Sequence, residues 1–333
     1  MNLFILDPGQ ANIIQPAGIC YVSAGDLWAN PYDAKDPFHL SVGSSASFAG
    51  AGHAETIAWN SIRGCAINSS PGAGGGCVTH KSVSSQTPTT ITWDGSGGVC
   101  DLPQTVKIPP DWNTGPNGTN QLAVVFDPEQ NLWREFYGLR KVSGLWKAHS
   151  GWKRAANGLG YDNGNYNRGV TASGISIVLT LIRAEQWNGH ICQQALGISL
   201  DPTCLGSTYV YPGSTTDGGS SGNGVLYGRR LSVPSPTAGG PSPSLFGSTG
   251  SFLRNMYDWA VNYGLHVVGQ GSNNVMIAAD DISSTIRNSF SDGMYALWPY
   301  FKPILNFTNA QTCVGGGTPL APNCAYNSGV ARG

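Results

Sequence analysis

The chain has 333 residues, of which 11% are charged, and a formal net charge of -1. A typical soluble protein carries about 25% charged residues, so nothing here draws the chain to nucleic acid or to an anionic membrane. The 46 glycines, roughly twice the usual share, and the many Ser, Thr and Asn residues give a polar but uncharged surface. Such a surface suits secreted β-proteins that meet neutral polymers.

The N-terminal "MNLFILDPGQ" lacks a basic start and its apolar run stops at Asp7, so it is not a signal peptide. A signal removed before Met1 is the expectation. No window approaches the length of a membrane span. Residues 1–100 read as short extended pieces among Gly-, Ser- and Pro-rich turns, with "PGAGGG" at 71–76 a loop tip. "PQTVKIPPDW" holds one strand closed by Pro109 and Pro110.

The clearest β pattern is 121–154, "QLAVVFDPEQNLWREFYGLRKVSGLWKAHSGWKR". Three runs of β-branched and aromatic residues, parted by "DPEQN" and "SG", predict a three-stranded antiparallel meander. On the middle strand Trp133, Glu135, Tyr137 and Leu139 share one face, and Arg134, Phe136 and Arg140 the other. One face is expected to pack on the core and the other to line a groove.

"GVTASGISIVLTLIRAEQWNGHICQQALGISL" begins at Gly169. Ile175, Val178, Leu179 and Ile182 fall at helical spacing and Ser173 is placed to cap. A turn at Asn188-Gly189 and a strand in "HICQQALGISL" should follow. Residues 206–250 read as long surface loops with one strand-like island, "GVLYGRRLSV". "SFLRNMYDWAVNYG" is the best helix, with a Phe252, Met256, Trp259 and Tyr263 stripe, Ser251 as cap and Gly264 as stop. "LHVVGQ" and "NVMIAAD" read as a strand pair. The pattern predicts one mainly-β domain over 1–333, a β-sandwich or jelly roll with two or three appended helices and long Gly/Ser-rich loops.

The eight cysteines avoid the close spacing of zinc or redox motifs, which favours disulfides and an oxidising, extracellular compartment. Local pairing gives Cys192–Cys204 and Cys313–Cys324. The other four allow three pairings. Eight buried thiols in a reducing compartment are the alternative. Asn-x-Ser/Thr triplets begin at Asn68, Asn117 and Asn306.

Segment 121–200 resembles a family of uncharacterised secreted bacterial proteins. The matching residues are Asp127-Pro128, Glu135-Phe136, Thr171-Ala172-Ser173-Gly174, Glu185 and Gly189-His190, with "WAVNYGLHVVGQGS" resembling that family's helix–strand unit. After the histidine, "HICQQAL" replaces the family's His-Ala-Leu. The resemblance implies kinship and secretion, and no particular chemistry.

Only Glu55, Glu129, Glu135 and Glu185 are glutamates. Glu135, between Trp133 and Tyr137, is placed as a glycosidase acid or nucleophile would be, because apolar neighbours raise a carboxyl pKa. Glycoside hydrolysis needs a second carboxylate, and Glu185 and Asp127 are the candidates, with His190 beside the Asn-Gly turn. The structural alternative pairs Glu135 with Arg140 or Lys147. Substrate contacts would come from Trp133, Tyr137, Arg140, Trp146, Lys147 and Trp152, since aromatic faces stack on sugar rings. The first expectation is a secreted glycoside hydrolase acting on a neutral polysaccharide or oligosaccharide. The second is a non-catalytic glycan-binding or surface-assembly protein. The third is a polysaccharide lyase drawing on Arg134, Tyr137, Arg140, Lys147 and His149, which lie close in sequence. No cofactor is expected. "DNGNYN" from Asp162 could offer oxygens to a structural calcium but lacks a calcium-loop pattern.

Overall fold

The computed structural model describes residues 28, 31–32, 36–62, 64–68, 76–95, 101–112, 114, 122–158, 160, 169–187, 193–218, 223–271, 274–279 and 282–307. Its first half runs α1 (Ala54–Asn60), β1 (Ala66–Asn68), β2 (Cys77–Lys81), β3 (Pro88–Trp93), β4 (Gln104–Lys107), β5 (Leu122–Asp127), β6 (Leu132–Tyr137), β7 (Arg140–Val142), β8 (Leu145–Ala148) and β9 (Ser150–Ala155). The second half adds α2 (Ile177–Thr180), α3 (Ala184–Trp187), β10 (Leu196–Leu200), β11 (Leu205–Tyr209), β12 (Val225–Tyr227), β13 (Arg230–Ser232), α4 (Phe252–Asn262), β14 (Leu265–Gln270), β15 (Val275–Ile277), α5 (Ser284–Leu297) and β16 (Lys302–Pro303). The fold is mainly β, in several mixed sheets, and no sheet closes on itself. No helix among the described residues is long and apolar enough to cross a membrane.

The predicted meander is five strands in two sheets. β5, β6 and β9 form an antiparallel ladder, with β2 parallel to β5 at its edge. Between β6 and β9 the chain leaves as the β7–β8 hairpin, turning on Ser143 and Gly144 with φ of 49° and 80°. Two successive positive φ values are the turn that matches strand twist. β8 then pairs parallel with β3 in a second sheet, ordered β4-β3-β8-β7. Leu139, expected on the face of Trp133, instead packs with Phe136, because the chain changes direction at Gly138.

The two sheets meet face to face through Ala123, Val125 and Phe136 on one side and Ile91, Trp146 and Ala148 on the other. The opposite face of β5–β6, with Val124, Phe126 and Trp133, packs on Ile175, Val178 and Leu179. Both faces are covered, which explains why "LAVVF" is continuously apolar rather than alternating.

The 169–182 run is less helical than its spacing predicts. Only Ile177–Thr180 is α-helix, and Leu181 is already extended. Ser176 is the cap, accepting from Val178 N at 3.2 Å, whereas the Ser173 N–H bonds Val268 O at 3.0 Å. β-branched Ile177, Val178, Thr180 and Ile182 are stiff in a helix and comfortable when extended. Ile182 accordingly joins Ala278 in a parallel bridge.

The six-stranded sheet has the order β1-β15-β10-β14-β13-β16. "LHVVGQ" and "NVMIAAD" therefore do not pair with each other, because β10 slots between them. The island "GVLYGRRLSV" supplies β12 and β13, and its Arg229 and Arg230 are buried. Arg229 grips Glu55 of α1, Nη2 to Oε1 at 2.6 Å, fixing that helix to the sheet. α4 follows its sequence reading, capped by Ser251 and stopped at left-handed Gly264. α5 escaped that reading, although Ile286, Phe290, Met294 and Leu297 have helical spacing behind the Ser283 cap. Trp59, Trp187, Trp259 and Phe290 fill the core between helices and sheet.

Cys65, Cys77 and Cys204 are buried, and no disulfide joins any two of the described residues. The Cys192–Cys204 pairing rests on Cys192, which lies outside the described residues. The Cys204 sulfur approaches the Ser61 hydroxyl at 3.8 Å and its neighbour Thr203 Oγ1 at 3.7 Å. Burial pushes the Cys65 thiol pKa up to about 12. Cys20, Cys100, Cys192, Cys313 and Cys324 lie outside the described residues. Alkylation in denaturant without reductant should label Cys65, Cys77 and Cys204, and in native buffer should label them slowly. A peptide linking Cys192 to Cys204 in the unreduced digest would refute this arrangement.

His266 on β14 is fully buried, with Nδ1 2.9 Å from Gly228 O and no partner at Nε2. Burial, reinforced by the Arg230 guanidinium, holds its imidazole well below the ordinary pKa. As pH falls below about 6.5, the unfolded chain takes up a proton that the folded chain refuses, so stability falls with it. Between pH 6 and 5, urea melts of the wild type should lose up to about 1.4 kcal/mol more than melts of His266→Asn. Parallel losses in the two proteins would remove His266 as the cause.

Candidate functional site

β6 carries the residues the sequence singles out, and burial sorts them. Glu135 is 1% exposed and does not line a groove. Its carboxylate accepts hydrogen bonds from the N–H groups of Val170 and Ile177, each at 3.0 Å, from the Ser176 hydroxyl, and from Tyr32 OH at 3.4 Å. Neither Arg140 nor Lys147 is among these partners. The carboxylate ties down the backbone of residues 170–177, whose sequence gives no hint of it.

Asp127 closes β5 and is also buried. It takes the Gln130 N–H at 3.1 Å and lies 3.7 Å from Arg134 Nη2. Burial lowers the Arg134 pKa, with Asp127 opposing. Val124 is the ladder partner of Glu135 and Val125 that of Arg134. Successive strand residues alternate faces, so Asp127 and Glu135 stand on opposite faces of one sheet. Glu185 lies in α3, His190 lies outside the described residues, and so does the "DNGNYN" stretch.

Trp133 is buried, stacked at 5.6 Å on Trp28, with the Arg183 guanidinium 5.9 Å from its ring. Trp146 faces the core between the two four-stranded sheets, and Lys141 Nζ stands 5.6 Å from its ring. Trp152 on β9 is half-buried.

Tyr137, Arg140 and Lys147 do converge, together with His149 and Asp94. Register places Thr92, Lys147 and Arg140 in one row across β3, β8 and β7. Asp94 follows β3, and its Oδ2 lies 2.6 Å from His149 Nδ1 and 2.6 Å from Arg140 Nη2. Arg140 Nη1 is 3.4 Å from His149 Nε2 and donates to Gly138 O at 3.0 Å. The side chains of Asp94, His149 and Arg140 are 3%, 16% and 23% exposed, so the carboxylate is sealed while the imidazole and the guanidinium reach the surface.

Backbone bonds fix this geometry. Asp94 N donates to Ala148 O at 3.0 Å and His149 N to Tyr137 O at 2.9 Å. A Cβ on Gly138, at φ +65°, would sit 2.0 Å from the His149 ring, so that position must be glycine for the imidazole to stay where it is. The Tyr137 and His149 rings are 5.8 Å apart. Burial, and then the Asp217 charge, raise the Tyr137 pKa and keep its hydroxyl protonated. Asp217 is held by Tyr227 OH at 2.5 Å. Trp93, 49% exposed, stands beside Asp94 in the chain.

Asp94 is the member the sequence reading missed. Its only signal is an acid ending a Thr-rich strand just before a Gly turn, "TTITWDG". A carboxylate on Nδ1 fixes the ring orientation and turns Nε2 toward the Arg140 guanidinium. Among the described residues no three His, Cys, Asp or Glu side chains gather to hold a metal ion.

Glu135→Ala would strand buried donors and should lower unfolding stability by about 2–5 kcal/mol. That equals the loss expected for the core truncation Leu179→Ala, also about 2–5 kcal/mol. A Glu135→Ala protein within 1 kcal/mol of wild type in denaturant melts would show that the carboxylate does not hold this segment.

Compared with family models, with curated proteins and with solved structures, the chain matches none, and the resemblance of segment 121–200 rests on its residues alone.

Proposed function

We propose that the chain is an extracellular carbohydrate-active enzyme that cleaves a uronate-containing polysaccharide by β-elimination at Asp94, His149, Arg140 and Tyr137. The observation that carries this reading is the Asp94–His149 contact with Arg140 beside it. Elimination needs a base for the carbon-bound proton next to a carboxylate, a cation for that carboxylate, and an acid for the leaving oxygen. His149 Nε2 takes the proton from C5 of the uronate. The C–H electron pair becomes the C4–C5 double bond as the C4–O bond breaks. The leaving oxygen takes its proton from the Tyr137 hydroxyl. His149 then returns its proton to Tyr137, so the enzyme ends unchanged. Arg140 neutralises the uronate carboxylate, and Lys147, across from it in the ladder, adds positive charge.

This reading is favoured over hydrolysis by Glu135 with Asp127 or Glu185. The Glu135 oxygens are already occupied by four donors, and Asp127 is on the other face beside Arg134. The overall charge gives the expectation of a neutral polymer; we favour an acidic one because Arg140 and Lys147 stand side by side in the cluster, although Arg140 also pairs with Asp94. We read the two face-to-face sheets as the sandwich anticipated from the strand pattern. A second reading, a non-catalytic glycan-binding protein, is favoured by one feature, the exposed Trp93 indole.

The test is incubation of the purified protein with a panel of uronate-containing and neutral polysaccharides, following ultraviolet absorbance of unsaturated uronate and new reducing ends together. Elimination raises both. His149→Ala and Tyr137→Phe should each lower kcat/KM about 10²–10⁴-fold with the melting temperature unchanged. Reducing ends without absorbance mean hydrolysis and overturn the proposal. Binding without cleavage overturns it in favour of the glycan-binding reading.

A further inference from the structure

A concavity of about 430 Å³ opens between residues 41–48, the 3₁₀ turn Pro236–Ala238 and the end of α4. It shares no residue with the Asp94 cluster. Its volume falls in the roughly 300–1,000 Å³ range of small-molecule sites. No lining residue is charged. Ser44, Ser235, Thr237 and Asn262 present hydroxyls and an amide, while Phe48 and Val261 supply apolar surface.

The walls are built before any ligand arrives. Val42 N donates to Asn262 O at 2.6 Å, joining the 41–48 segment to the end of α4. Phe48 pairs with Ile304 in an antiparallel bridge. The Ser235 and Thr237 hydroxyls are 2.9 Å apart and bond each other. Ser232 Oγ donates to Ala260 O at 2.7 Å, holding the strand beside α4. The Asn262 amide N–H donates to Asp258 O at 2.8 Å, so the carboxamide that lines the cleft is anchored to the helix.

The lining selects its ligand by exclusion. An ion would lose its water with no countercharge to replace it. A wholly apolar molecule would cover the hydroxyls and the carboxamide without pairing them, at a cost for each. What satisfies both kinds of surface is an uncharged ring with hydroxyls at its rim and C–H groups on its face, which can lie against Phe48 while exchanging hydrogen bonds with the polar side chains. We propose that this cleft is a binding site for a neutral saccharide, separate from the Asp94 cluster and independent of the chemistry assigned to it.

The probes are neutral gluco-, manno- and xylo-hexasaccharides, followed by saturation-transfer NMR and titration calorimetry with the intact chain. At least one should bind saturably. Ala238→Trp places an indole in the cleft from an exposed position and should weaken that binding at least 10-fold with the melting temperature unchanged. The double substitution Ser235→Ala and Thr237→Ala, which adds no bulk, should weaken it in the same direction. His149→Ala should bind as wild type does. The proposal is overturned if none of the three saccharides binds, or if binding is unaltered by the cleft substitutions. It is also overturned if binding is lost in His149→Ala instead, which would put the sugar at the cluster.

Discussion

One carboxylate joins the two halves of this protein. Glu135 lies in the middle of an inner strand, yet its oxygens bond the backbone and hydroxyl of residues 170–177. That segment runs on to the six-stranded sheet, where Ser173 N bonds Val268 O at 3.0 Å and Ile182 N bonds Ile277 O at 3.0 Å. An anion buried with N–H and O–H donors converging on it is costly to leave unpaired. The segment is thereby anchored at one end to β6 and at the other to the six-stranded sheet. The arrangement also explains the brevity of α2. The chain there bends to deliver donors to Glu135 rather than to prolong its own helix.

The same strand shows how depth decides what a polar residue does. Glu135, at the centre, is enclosed and becomes part of the frame. Tyr137, two residues later at the strand end, is half-buried and meets His149. Arg134 is sealed by Gln104, Gln130 and Asp127, whereas Arg140, on the outer sheet, touches solvent. Ends of strands and the loops after them are where a backbone can present a side chain without burying it. The Asp94 cluster is assembled from four such places.

Much of the architecture was written in local patterns. The Ser251 cap, the apolar stripe and Gly264 marked α4, and the Asp127–Gln130 turn marked the start of β6. What stayed hidden was long-range. Nothing in "LHVVGQGSNNVMIAAD" says that β10 will come between the two strands, and nothing in "SG" says that its hairpin will join β3. A continuous apolar run such as 175–182 is read as a helix by its spacing and as an extended piece by its β-branched residues, and burial on every side leaves periodicity without a vote. The site was half legible for the same reason. Tyr137, Arg140, Lys147 and His149 are neighbours in sequence, but Asp94 reaches them only through the β3–β8 pairing.

Tyr137 and Ser150 are direct partners across the β6–β9 ladder. The register of that ladder is complete without residues 138–149, which form an excursion closed at its base. Arg140, Lys147 and His149 all ride on this excursion, and so do Leu139, Trp146 and Ala148, which pack in the core with Phe136 of β6. One side of the excursion is thus seated in the core, and the other carries polar side chains that meet Asp94. Changes at Leu139, Trp146 or Ala148 are felt directly by Phe136, whereas changes at Arg140, Lys147 or His149 fall on the polar row. Because Asp94 and Tyr137 stand outside 138–149, exchanging the hairpin alone would remake only part of the cluster.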